Sequence, residues 1–131
     1  MSYHITTTLA GSFDQAIARV KEALQKRGFG VLTEIDVAAT LKNKLGAEFR
    51  PYRILGACNP RMALRALEAE DKIGTMLPCN VILQEQAPGR IEVSAVDPVA
   101  SMVAIDNPKL KEVAEEVRGL LAEAIADLKQ G

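Results

Sequence analysis

The sequence predicts a single α+β domain, with one sheet of about five strands, mixed or mostly antiparallel, and helices packed mainly on one face. Three observations carry that reading. Apolar residues switch repeatedly between period-2 and helical spacing along the chain. A Pro88-Gly89 turn joins two strand-like segments into a hairpin, which excludes a purely parallel sheet. Three steps, Asn59-Pro60, Asp97-Pro98 and Asn107-Pro108, each place a capping side chain directly before a proline, as helix starts do.

The elements follow in order. Residues 3–9 (YHITTTL) read as a strand with Tyr3, Ile5 and Leu9 on one face. Ser12 opens a helix with Gln15 three places on, a capping box, and Gly28 closes it. Phe13, Ala16, Ile17, Val20 and Leu24 form its apolar stripe. From Phe29 to Val37 the odd positions Phe29, Val31, Ile35 and Val37 are apolar, which predicts a strand with one apolar face. Asp36 caps a short helix carrying Leu41 and Leu45, ended by Gly46.

Residues 48–58 read as the next strand, with Tyr52, Ile54 and Cys58 in one parity. Pro51 there suggests an edge or a bulge. The helix begun at Asn59-Pro60 places Ala63, Ala66, Leu67 and Glu70 along one side and is closed by Ile73-Gly74. A strand runs from Cys79 through Val81, Ile82 and Leu83, and Ile91, Val93 and Ala95 form its hairpin partner. A short helical segment follows Asp97-Pro98. The last helix has the stripe Leu110, Val113, Val117, Leu120, Leu121, Ala124 and Leu128.

The chain has 131 residues, long enough for one domain (1–131) with its own core. Its formal net charge is −1, and aromatics are 4% with no tryptophan, so no basic stacking face for nucleic acid is expected. No apolar run approaches the ~20 residues of a membrane span. MSYHITTTLAG has neither a basic start nor an apolar core, so no signal peptide is expected. A cytoplasmic location is the expectation, and there the two cysteines are thiols.

The chemistry on offer centres on two echoes, Cys58-Asn59 and Cys79-Asn80. Neither zinc-ribbon nor CxxC spacing is present. A zinc site from His4, Cys58 and Cys79 lacks a fourth ligand, so no metal is expected. Free cysteines are most often buried packing residues, yet Cys58 stands just before a helix start, where a thiolate is favoured. Asn59 has a capping job. Asn80 has none: it either braces the loop around residues 56–60 or faces a ligand. Arg61 makes the helix start at Pro60 the best anion candidate of the three, against a plain solvated arginine. Familiar nucleophile, phosphate-loop and zinc-protease motifs are missing, so the reading leans away from an enzyme, and no cofactor is indicated.

YRILGACNPRMALRAL (52–67) followed by IGTMLPCNVIL (73–83) resembles the signature of the bacterial and archaeal domain-of-unknown-function 302 family. The resemblance extends over nearly the whole chain. It implies a small α+β domain that self-associates as a homodimer, and it joins Cys58, Asn59, Pro60, Leu77, Pro78, Cys79 and Asn80 into one site or hub, with Glu70 at the family's acidic position. It brings no activity, cofactor or substrate. The leading expectation is therefore a small-ligand- or partner-binding domain with a candidate site at Cys58, Asn59, Glu70, Cys79, Asn80 and Arg61. The alternatives are a thiol-based redox or sulfur-handling protein, and a structural dimerisation module.

Overall fold

The structure is a computed structural model and describes residues 2–129. Its elements are β1 (His4–Ala10), α1 (Phe13–Lys26), β2 (Gly30–Asp36), α2 (Val37–Leu45) and β3 (Tyr52–Cys58). Then come α3 (Pro60–Ala69), a 3-10 turn (Ile73–Met76), β4 (Cys79–Ala87), β5 (Arg90–Val96), α4 (Pro98–Ser101) and α5 (Pro108–Leu128). The strands form one sheet in the order β1-β5-β4-β3-β2, and every neighbouring pair is antiparallel.

Local chemistry sets the helix ends as expected. Ser12 Oγ accepts from the Gln15 N–H, Asp36 from Ala39, Asn59 from Met62, Asp97 from Val99 and Ala100, and Asn107 from Lys109 and Leu110. Each bond satisfies an N–H that the first helical turn leaves without an internal partner.

Packing then selects the buried faces. The inner face of the sheet carries the row Leu55, Val81, Ala95 and Ile5, followed by Leu83, Val93 and Thr7. Val20 and Leu24 of α1 and Leu110 and Leu121 of α5 are almost wholly buried in the same core. At about 25 cal/mol per Å² of apolar surface, such burial is the main force holding α1 and α5 on the sheet. α5 packs against α1, α3 and α4 and lies over β1 and β5. Arg27 adds a two-point tie between α1 and α5, donating from Nε and Nη2 to the Asp127 carboxylate at 3.0 Å each.

Four expectations need correction. The strand predicted from Phe29 to Val37 ends at Asp36, and Val37 begins α2. Its expected apolar face is split by a bulge between Val31 and Thr33: Phe29 is buried and Val31 packs on the core, whereas Ile35, beyond the bulge and paired with Ile54, is 47% exposed, as is Leu32 at 69%. Pro51 marks neither edge nor bulge. It lies just before β3, an interior strand, and its carbonyl accepts from the Glu85 N–H. In β3 the fully buried residues are Leu55 and Ala57, the parity opposite to Tyr52 and Ile54. Finally, α3 ends at Ala69 with Glu70 as its C-cap, so Ile73-Gly74 belongs to a separate 3-10 turn.

Gly56 fixes where β3, β2 and the entry to β4 converge. A Cβ there would lie 2.1 Å from Thr33 Oγ1 and 2.7 Å from Pro78 Cγ, so only glycine lets these segments approach. That approach draws Pro78-Cys79 alongside the end of β3, next to Cys58.

Candidate ligand-binding cavity

α3 packs on α5 rather than on the sheet, and a cavity of about 310 Å³ lies beneath it. The floor is Ala57 of β3 and Cys79 of β4, which face each other directly across the strand pair. The roof is the inner side of α3, Met62, Ala63, Ala66 and Leu67. Val113, Ala114 and Val117 of α5 form one wall, Phe29 and Leu32 close one end, and Pro98 and Met102 the other.

The cavity has a physical origin. Alanines at 57, 63 and 66 are too short to fill the space between a helix and a sheet, while larger residues of α5 hold the helix at its distance. No charged residue lines it, and its polar residues are few: Cys58, Asn59 and Cys79.

Those three residues are brought together by adjacent strand ends. Cys58 is the last residue of β3, pairs with Gly30 and is half-buried, whereas Cys79 opens β4 and is buried. Burial foremost, and then the neighbouring Cys58, push the Cys79 thiol up from 9.0 to about 11. Cys79 is therefore a protonated thiol at neutral pH. Asn59 uses Oδ1 to cap α3 through the Met62 N–H at 3.4 Å, and its Nδ2 makes no hydrogen bond among the described residues.

The other three candidates lie elsewhere. Asn80 is exposed on the opposite face of the sheet from Cys79, beside Gly56, because side chains alternate along a strand. It neither braces the loop nor faces the cavity. Glu70 is a half-buried C-cap whose N–H donates to the Ala66 carbonyl, and it does not line the cavity. Arg61 is exposed in the first turn of α3 and points to no pocket wall. His4 sits on the edge strand β1, with Nδ1 2.5 Å from Thr6 Oγ1, and β5 stands between it and the strands of both cysteines. Among the described residues no group of three or more His, Cys, Asp or Glu is arranged to hold a metal ion.

The residues that sequence reasoning missed are Met62, Met102 and the α5 wall. The one available signal was the alanine-rich inner stripe of residues 60–69. A stripe of small residues is read by default as close packing, and only the separation of α3 from the sheet turns it into a void.

Asp97 stands apart from the cavity polar groups. Burial opposes its ionisation, but the Arg118 guanidinium at 2.8 Å and the N–H groups of Ala100 and Val99 outweigh it and hold the carboxyl below the usual range. The residue ties the start of α4 to α5 and so supports the Pro98 and Met102 end of the cavity.

No helix of the described residues is long and apolar enough to cross a membrane. A family model described as "Domain of unknown function DUF302" matches residues 5–128. A crystal structure of an uncharacterized conserved protein DUF302 from Bacillus stearothermophilus is similar, with a TM-score of 0.88 and 31% identity, covering 96% of this chain and 98% of that chain. Among curated proteins, none matches.

Proposed function

The chain belongs to the domain-of-unknown-function 302 family, and from that premise we propose that it binds a small, uncharged, mainly apolar ligand under α3. The observation that carries this is the cavity of about 310 Å³ with no charged lining residue. Its size falls at the lower end of ligand pockets, which span roughly 300–1,000 Å³. An ionised ligand would lose its hydration there without gaining a counter-charge. A neutral one keeps an apolar body against Ala57, Ala66 and Val117 and offers a single polar group to Asn59 Nδ2.

An uncharged fluorescent probe, N-phenyl-1-naphthylamine, tests this. Saturable binding to the wild type, abolished by Ala63→Phe with unchanged circular dichroism, is the expected result. Equal binding by the filled variant, or none by the wild type, overturns it. The thiol-redox reading is disfavoured at Cys79, whose burial keeps it protonated.

A second reading concerns the partner. We propose that the chain pairs with a second copy of itself through the β2 side of the sheet. The support is Leu32 and Ile35, exposed on an edge strand whose outer backbone groups pair with no other strand of the described residues. A dimer by light scattering, converted to monomer by Ile35→Lys, supports it. A monomeric wild type at micromolar concentration removes it.

A further inference from the structure

The cavity under α3 is drawn out in one direction. Its lining follows the strand order, from Phe29 and Leu32 at β2, through Ala57 of β3 and Cys79 of β4, to Pro98 and Met102 just past the end of β5. Three strand spacings separate those ends, about 14 Å. A volume of about 310 Å³ spread over such a length is a slot and not a rounded chamber.

The two ends differ. Leu110 and Ala114 stand beside Met102 at the far end, all three are buried with Pro98, and none of the four has a nitrogen or oxygen on its side chain. At the β2 end Leu32 is 69% exposed. The register of β2 shifts between Val31 and Thr33, and Leu32 is the unpaired residue there, so the bulge frees it from strand alternation and it joins the lining. Leu67 of the roof is the one other exposed lining residue. The unengaged amide belongs to the β2 end as well. Asn59 Nδ2 lies against Gly28, the residue before Phe29, and makes no hydrogen bond among the described residues. The slot is thus open and polar at β2, closed and apolar at Met102.

We propose that the ligand is an unbranched aliphatic chain ending in one uncharged polar group, held tail inward. The tail runs across β3 and β4 to Met102, and the head group accepts from Asn59 Nδ2 at the β2 end. Each methylene added in line buries further apolar surface until the tail meets Met102, whereas branches widen the body without using the length. A charged head would find no counter-charge, since no charged residue lines the slot. The proposal rests on the apolar-ligand reading of the same cavity and specifies the shape and orientation of what enters it.

Calorimetric titration of the full chain with straight-chain primary alcohols, hexanol to dodecanol, tests it. Affinity is expected to rise about fourfold with each methylene and then level off at one chain length. Met102→Ala should move that limit to a longer alcohol and Ala114→Val to a shorter one. Circular dichroism checks both folds, and Ala114→Val decides if Met102→Ala does not fold. Asn59→Ala should weaken every alcohol about equally, by roughly twofold to tenfold, without moving the limit. No limit within the series, a limit that neither folded variant moves, or equal binding of branched isomers overturns the proposal. Should one of these be seen while the wild type binds N-phenyl-1-naphthylamine and Ala63→Phe does not, the straight-chain ligand falls alone. A wild type that binds neither the probe nor any alcohol removes both readings.

Discussion

Gly28 and Asn59 lie against each other so closely that a Cβ on Gly28 would stand 2.9 Å from Asn59 Nδ2. The turn that ends α1 therefore packs directly against the cap that begins α3. Gly28 also has φ +87°, a left-handed backbone that costs a side-chain-bearing residue about 1–2 kcal/mol. Gly28→Ala is expected to destabilise the fold by about 2 kcal/mol, read as a lower urea midpoint with unchanged slope. A midpoint equal to wild type would show that neither the backbone strain nor the contact matters.

Asn59→Ala removes the cap bond to Met62 and should cost about 1 kcal/mol. Asn59→Asp keeps an acceptor at the helix start and should recover most of that loss. The carboxylate brings a charge to the cavity rim, so the Asp variant is expected to bind the uncharged probe less well than wild type. Unfolding curves together with probe titrations check both effects.

Asp97 and Arg118 couple α4 to α5 across 2.8 Å. Asp97→Asn retains a capping oxygen but loses the charge pair. Arg118 is half in solvent, so the loss should be only about 1 kcal/mol at neutral pH. Because folding lowers the Asp97 pKa, its contribution is present above the unfolded carboxylate value of about 3.9 and is lost as pH falls through the lower folded value. The stability gap between wild type and Asp97→Asn should therefore close as pH drops below about 4. A gap that stays constant down to strongly acidic pH would contradict the assignment.

Cys79 should resist alkylation in the folded protein. At about pH 8 iodoacetamide needs a thiolate, and burial keeps this thiol protonated up to about pH 11. Mass spectrometry after a timed pulse should find modification at Cys79 at least tenfold slower than in the urea-unfolded chain. Rapid labelling of native Cys79 would instead revive the thiol-redox reading.

The helix starts were legible because a cap and the N–H groups it satisfies lie within three residues of each other. Ser12, Asp36, Asn59, Asp97 and Asn107 all cap as the sequence implies. The antiparallel hairpin β4–β5 was equally local. The face of β2 was not, because the bulge between Val31 and Thr33 arises in its pairing with β3 and reverses the alternation partway along the strand. Asn80 failed for a related reason: its neighbour Cys79 belongs to the signature, yet one step along a strand reverses the side chain.

By itself, then, the sequence determined where helices begin, how the hairpin closes and that both Cys-Asn pairs sit at strand ends, since these depend on neighbours in the chain. Tertiary structure decided which residues of each pair share a space. Cys58, Asn59 and Cys79 meet under α3 because Gly56 lets β3 approach Thr33 and Pro78, and because short side chains at 57, 63 and 66 leave a gap that α5 holds open. That gap is a distance between packed elements, and no local pattern of residues encodes it.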